Sequence, residues 1–364
     1  MANEPRTQHP FHMYEHILAE PDGFARSVQR NNEVVGAFAA PSQGWRQLLL
    51  IGIGTSYHAA QVGEHLVRAN SPGLPVRAWH SFDFVHYGPD LSPEDCVVAI
   101  SHRGTKRYTA QALRRARQAG CRVALVTGEG QPAAAADADA VFQTVAQERS
   151  SAHTVSYVGA VAVLGLMATR VAACRGAENP AAEELLHGTV PAALREATRT
   201  EDEVRNWAGA HARKRRIWLV GAGPSAVTAQ EVALKIKETS YLQAEGTAVE
   251  TLLHGPLQCV EQDDVFVLII PDGKAQDRLI ELGKMVQEIG SPYVVVSDGT
   301  PQELRPAAAG WCVVPRVPEE WSTLTCLVPL QLFAYYLALG RGTNPDGFRL
   351  DDPRFARAHK LVQF

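Results

Sequence analysis

IWLVGAGPSAVTAQEVALKIKETSYLQAEGTAVETLLHGP, residues Ile217 to Pro256, runs from a short apolar strand pattern (Ile217–Val220) through a tight turn, Gly221-Ala222-Gly223-Pro224-Ser225, into a long helical pattern. Strand, glycine turn and helix N-terminus together predict an anion site, because N–H groups without intrahelical partners and the positive end of the helix dipole face outward there. On the helix, Glu231, Lys235 and Glu238 fall at i, i+4 and i+7 and share one face. The loop beyond it ends in Leu253-His254-Gly255-Pro256. A carboxylate, an amine and an imidazole near an anion site suit proton transfer on a phosphorylated metabolite. The other reading of Glu and Lys at helical spacing is a solvated face.

The same signals recur upstream. Leu48–Ile51 is a continuous apolar run, as expected of a strand covered on both faces, and it ends in Gly52-Ile53-Gly54-Thr55-Ser56 before a helix through Ala59, Ala60, Val62 and Leu66. A strand at Cys96–Ile100 leads into Ser101-His102-Arg103-Gly104-Thr105-Lys106 and a helix reaching Gly120. A third strand, Arg122–Val126, follows. Gly52-x-Gly54-x-Ser56 matches Gly221-x-Gly223-x-Ser225 at a separation of 169 residues, Asp95 matches Asp264 at 169, and Gly120 matches Gly290 at 170. Three concordant offsets at three strand starts predict two copies of one α/β domain, each a parallel sheet flanked by helices, with clefts at the strand C-termini. The division reads as an N-terminal helical arm (1–35), a first copy (36–175), a charged helical linker (176–205), a second copy (206–340) and a C-terminal tail (341–364).

The bulk composition narrows the partners. With 364 residues, 46% hydrophobic, 20% charged and a formal net charge of −4, the chain has room for two cores and no charge excess directed at nucleic acid or an acidic membrane. Cys96, Cys121, Cys174, Cys259, Cys312 and Cys326 are widely spaced without a C-x-x-C, which fits reduced thiols better than disulfides or zinc. The first ten residues are polar, lack a secretory h-region and are expected to be poorly ordered. The longest helix-like apolar run, Val158–Ala168, is 11 residues, too short to span a bilayer. The expectation is a soluble, cytoplasmic protein. His12 and His16 stand at i, i+4, and without a third ligand they read as a surface pair, so no metal site is expected.

Two loops admit more than one chemistry. Gly221-x-Gly223-x-x-Ala226 resembles a dinucleotide fingerprint, but the acidic residue about 20 positions on, Glu245, does not close a strand, and the first copy has Tyr57 where a third small residue belongs. No nicotinamide cofactor is expected. Ser101–Lys106 combines hydroxyls, a glycine and two cations at a strand-to-helix junction, which suits a phosphate or, equally, a capped helix start with Arg103 and Lys106 in water.

GTSYHA at 54–59, the loop at Ser101, and ALKIKETSYLQAEGTAVETLLHGPL at 233–257 resemble, in order and spacing, the sugar-isomerase (SIS) family, in particular the isomerase half of glucosamine-6-phosphate synthases. The resemblance runs from MYEHILAEP to the DDPR tail. It implies two tandem SIS domains of flavodoxin-like, three-layer αβα architecture. The implied activity interconverts the ketose and aldose forms of a ketose or amino-sugar 6-phosphate in a homodimer with shared sites, and leaves open whether ammonia is released, as in a deaminase, used or absent. Through it Gly54, Thr55, Ser56, Ser101, His102, Arg103 and Lys106 correspond to phosphate-loop positions, and Ser150 and Ser151 to a segment lining the sugar. Glu238 corresponds to the base moving a proton between C1 and C2, Lys235 to a lysine beside it, and His254 to a ring-opening histidine that reaches the neighbouring subunit's site. Lys360 lies two residues beyond the position of a Schiff-base lysine in a tail that closes the site. The apolar stretch Leu324–Leu339 is a further reason to expect a dimer.

The sequence also departs from the pattern. The family's S-x-S-x-x-T phosphate loop is here Ser101-His102-Arg103-Gly104-Thr105-Lys106, with cations for two hydroxyls. Leu253 and Val155 stand where lysines are usual, and Ala2 stands where a glutaminase has its cysteine, so glutamine-dependent amination is not expected. These departures keep open a second reading, a phosphosugar-binding or regulatory protein without turnover.

Overall fold

The computed structural model describes residues 6–299 and 301–362; the first five residues of the polar N-terminal stretch lie outside them. By its internal contacts the chain forms two compact units, each assembled from separated pieces of sequence. One comprises Glu20–Glu148, Val155–Pro191 and Arg357–Phe364; the other comprises Met1–Ala19, Arg149–Thr154 and Ala192–Ala356.

The first unit carries β1 (Gln47–Gly52), β2 (Val76–His80), β3 (Asp95–Ile100), β4 (Arg122–Thr127) and β5 (Ala140–Gln143), all parallel in the order β2-β1-β3-β4-β5. Alternate residues Leu49, Ile51, Val97, Ala99, Val123 and Leu125 pack on Phe84, Ala112, Leu113 and Ala116 of the helices Ser81–Tyr87 and Arg107–Gln118. The other face is covered by Glu20–Ala39, Thr55–Asn70 and Val155–Cys174. Cover on both faces is why β1, β3 and β4 read as unbroken apolar runs. The edge strands β2 and β5 are half-exposed and left no such run.

The second unit repeats the plan with β6 (Arg216–Gly221), β7 (Gln243–Ala248), β8 (Val265–Ile269), β9 (Tyr293–Ser297) and β10 (Gly310–Val313), parallel in the order β10-β9-β8-β6-β7. Counted from the first strand of each copy, the two orders are identical. β7 corrects the expected loop: QAEGTA has weak strand propensity, yet it pairs with β6 from Gln243 to Ala248. At Gly246 a Cβ would overlap the backbone of Ala229, so only glycine lets the helix Pro224–Ser240 lie this close to β7.

One repeated ion pair explains the matching aspartates. In the first unit Arg46 holds Asp95 through Nε (2.8 Å) and Nη2 (2.6 Å), while the Ser92 N–H donates to Asp95 Oδ2 (2.9 Å). In the second, Arg216 reaches Asp264 through Nε (3.0 Å) and Nη2 (2.8 Å), the Glu261 N–H donates to Oδ2 (3.1 Å), and Trp218 Nε1–H adds a bond of 3.0 Å. Both carboxylates are fully buried. Burial works to raise their pKa values, but the arginine and hydrogen-bond donors outweigh it and hold both below the usual aspartate range.

Several expectations need correcting. The apolar run counted as 11 residues belongs to a 20-residue helix, Val155–Cys174; this and Glu319–Gly340 are long and apolar enough to cross a membrane by length and composition. Their most apolar windows are 83% and 89% buried inside the protein, which marks them as core helices. Leu324–Leu339 is consequently consumed by the second unit's own core and offers no surface to a partner. His12 is buried rather than superficial, stacked 6.4 Å from His16; among the described residues no group of three metal-ligating side chains occurs. The described part of the polar N-terminus is tied down: His9 Nδ1 lies 2.8 Å from Tyr335 Oη, and Asp346 accepts from the His12 and Met13 N–H groups (2.9 and 2.8 Å) at the start of the helix His12–Leu18. All six cysteines are unpaired thiols.

Candidate functional site

In the first unit β1 lies between β2 and β3, and the helices that follow β1 and β3 pack on opposite faces of the sheet. Their connections therefore part at the strand C-termini and leave a crevice, the usual ligand position of such sheets. One wall is the turn after β1, where Gly54 (φ 55°) caps the helix Thr55–Asn70, with Thr55 and Ser56 half-buried behind it. The other is Ser101–Lys106. Ser101 is 3% exposed and its hydroxyl has no hydrogen-bond partner. His102 turns inward: it is buried, its Nε2 accepts the Glu148 N–H (3.1 Å), and its carbonyl accepts from the Gly128 N–H (2.8 Å) and Thr127 Oγ1 (3.1 Å). Glu148 in turn accepts the Ser156 N–H (2.8 Å) at the start of the core helix Val155–Cys174, so His102 anchors the loop to the scaffold.

Arg103, Lys106 and Arg107 remain exposed around the N-terminus of the helix Arg107–Gln118, whose first turn contains no acid. Among the described residues none of the three has an ion-pair partner. Partial burial, then the neighbouring Arg103 charge, lowers the Lys106 pKa. Uncompensated cations over a helix N-terminus beside an unpartnered buried hydroxyl have the chemistry that suits an anion. The composition of SHRGTKR contained Arg107 too, but only the helix start shows that it joins the other two.

The corresponding crevice of the second unit is different. Gly223 (φ 51°) repeats the turn, but Pro224 supplies no N–H and the Ala222 N–H is taken by Ser225 Oγ (2.8 Å), which itself donates to the Ala222 carbonyl (3.0 Å). Across from it, after β8 and β9, stand Asp272 and Asp298. The Asp272 N–H donates to Asp298 Oδ2 (3.1 Å), and Arg316 pairs with both carboxylates. The anion site predicted at Gly221–Ser225 is thus closed by the turn itself and opposed by negative charge.

What the second unit offers instead is on the helix Pro224–Ser240. Lys235 is 1% exposed, with Nζ 2.6 Å from Glu238 Oε2 and 3.5 Å from Glu231 Oε1. Glu231 is fully buried, and Glu238 alone keeps some access to solvent. The three do share a face, but that face is not solvated; it turns into the core beside the helices Glu319–Thr325 and Leu327–Gly340, where Thr228 donates to the Thr323 carbonyl (3.0 Å) and Thr239 to that of Ala334 (3.3 Å). Burying an ammonium demands compensating carboxylates, so Glu231 is a structural necessity once Lys235 is buried.

Of the other expected residues, Ser150 and Ser151 form a strap in the second unit: Ser150 Oγ donates to the Pro345 carbonyl (3.4 Å) and the Ser151 N–H to that of Asp346 (2.9 Å). His254 ends the short helix Val249–Leu253 with its side chain 78% exposed, Nε2 3.2 Å from Glu250 Oε2. Glu250 is also held by Arg278 Nε (2.5 Å), the main cause of its lowered pKa. Lys360 is exposed, one residue beyond the helix Pro353–His359. The geometry therefore joins Lys235 to Glu238, and Ser101 to Arg103 and Lys106, while His254 and Lys360 stand in solvent.

Duplicated five-stranded parallel sheets with a cationic crevice in one copy and a buried Glu–Lys–Glu array in the other define the class of protein. The SIS domain model matches residues 43–170 and 212–341, and the chain belongs to that family. It is 30% identical over 343 residues to the isomerizing glutamine–fructose-6-phosphate aminotransferase of Thermococcus kodakarensis, covering 93% of this chain and 56% of that protein. The chain thus spans little more than half of that relative's length. Among solved structures, the C-terminal domain of glucosamine-fructose-6-phosphate aminotransferase from Francisella tularensis superposes with a TM-score of 0.86 at 18% identity, covering 95% of this chain and all of that one. Tagatose-6-phosphate ketose/aldose isomerase from Escherichia coli gives 0.78 at 18% identity, covering 95% and 97%. These likenesses show the shared fold.

Proposed function

We propose that the protein is a phosphosugar aldose–ketose isomerase acting on a hexose or amino-sugar 6-phosphate, with release of ammonia where the substrate carries an amine. The phosphate is held at Ser101, Arg103 and Lys106, with Thr55 and Ser56 on the facing turn. Glu238 takes the proton from one of C1 and C2 and returns it to the other. Lys235 fixes that carboxylate through its 2.6 Å contact, the observation that carries the reading. A base that must approach a carbon chain needs both a fixed orientation and an open side, and Glu238 has both. His254, exposed in the single chain, opens the sugar ring of the neighbouring subunit in a cytoplasmic homodimer. No cofactor is required for an enediol shuttle of this kind.

The second reading, a phosphosugar-binding protein without turnover, is favoured by one observation, the solvent position of Lys360. Deuterium incorporation at C1 of a ketose 6-phosphate in D₂O separates the two. The wild type is expected to exchange, and Glu238→Gln to bind the sugar phosphate while exchanging at least ~10²-fold more slowly, the usual scale for a general base. Full-rate exchange by Glu238→Gln overturns the assignment of the base, and binding without exchange by the wild type selects the second reading.

A further inference from the structure

Beside the cationic loop lies an aromatic cluster that isomerisation does not use. Phe82 and His86, on the helix Ser81–Tyr87, have ring centroids 4.6 Å apart; Tyr108, the second residue of the helix Arg107–Gln118, stands 4.9 Å from Phe82 and 5.8 Å from His86. Tyr87 extends the cluster, 6.2 Å from His86 and 6.4 Å from Phe82, and is 75% exposed. The cluster joins the cations directly, since the Arg107 guanidinium lies 5.5 Å from the centre of the Tyr108 ring. Four rings left partly in water beside exposed cations are costly to keep exposed. A flat π-system laid on them recovers that surface without needing hydrogen-bond readout.

We infer that the first crevice takes a nucleoside 5′-phosphate, its phosphate on Arg103, Lys106, Arg107 and the unpartnered Ser101 hydroxyl, its base stacked on Phe82, His86, Tyr87 and Tyr108. The inference shares the anion cradle of the isomerase reading but rests on rings that a sugar phosphate does not need. The nucleotide therefore competes with the sugar phosphate and acts as a brake on it.

Calorimetric titration of the full chain with AMP, ribose 5-phosphate and inorganic phosphate separates base from phosphate. AMP is expected to bind at least ~10-fold tighter than ribose 5-phosphate, about 1.4 kcal/mol, because its base stacks on aromatic side chains. Phe82→Ala/Tyr87→Ala is expected to erase that preference and leave ribose 5-phosphate affinity unchanged. Equal affinity for AMP and ribose 5-phosphate in the wild type overturns the inference and leaves the isomerase reading intact. AMP binding without affinity for any hexose 6-phosphate does the reverse. If the double variant keeps AMP affinity but dissociates a dimer in sedimentation, the rings are a subunit contact and the inference falls.

Discussion

The two copies share strand order, glycine turn and buried Arg–Asp pair, yet their crevices are lined by different charged groups. After β3 the first copy presents Arg103, Lys106 and Arg107 with no acid in the following helical turn; after β8 and β9 the second presents Asp272 and Asp298, balanced by Arg316. The turn after β1 leaves Thr55 and Ser56 half-buried, whereas the turn after β6 spends Ser225 on its own backbone. Duplication therefore kept the scaffold and divided the work. The first copy presents exposed cations at a helix start; the second closes the matching turn on its own backbone and carries a buried ion array on its helix. A fold of this kind constrains where a site lies, and the loop residues decide what it binds.

The largest expected effect bears on the array. Lys235→Met removes the buried ammonium that lies 3.5 Å from Glu231 Oε1 and 2.6 Å from Glu238 Oε2, and is expected to destabilise by about 3–5 kcal/mol in urea unfolding. Glu231→Gln is expected to cost more stability than Glu238→Gln, because Glu231 has no solvent to fall back on. If the two glutamine variants unfold at the same urea concentration, the distinction between a structural and a working carboxylate fails.

The repeated ion pair gives a sharper comparison within one chain. Asp264→Ala is expected to cost about 3–5 kcal/mol, since it leaves Arg216 largely buried and Trp218 Nε1 without its acceptor. Asp95→Ala is expected to cost less, because half of the Arg46 side chain already faces water. Both folded-state pKa values are depressed, so the stability they contribute is complete above the unfolded aspartate value of about 3.9 and is lost as the pH falls through the lower folded values. Acid unfolding of the wild type is therefore expected below about pH 4, with Asp264→Asn flattening that dependence more than Asp95→Asn. Equal flattening would mean that Trp218 and the burial of Arg216 add nothing.

What the sequence revealed follows from what physics leaves visible. Strands buried on both faces must be apolar throughout, so β1, β3, β4, β6, β8 and β9 were readable, and their spacing exposed the repeat. Asp95 and Asp264 were visible as a matched pair, although their partners Arg46 and Arg216 were not, because an arginine at a strand start looks like any surface cation. β7 was hidden because its place depends on what packs against Gly246, a tertiary fact. The burial of Lys235 was hidden for a related reason: E-x3-K-x2-E has the same period on a wet face and in a core. Among the site residues, the loop at Ser101 was legible as chemistry, but its division into an inward His102 and outward Arg103 and Lys106 depends on Glu148, 46 residues downstream.

The first copy is expected to bind phosphate through charge. Calorimetric titration of a hexose 6-phosphate into the wild type and into Arg103→Ala/Lys106→Ala tests it most directly. Removing two charge-assisted contacts is expected to weaken binding by about 2–4 kcal/mol, roughly 30- to 1,000-fold, and wild-type affinity is expected to fall as salt is raised. A double variant that binds the sugar phosphate as tightly as the wild type would contradict the account and return both cations to the solvent.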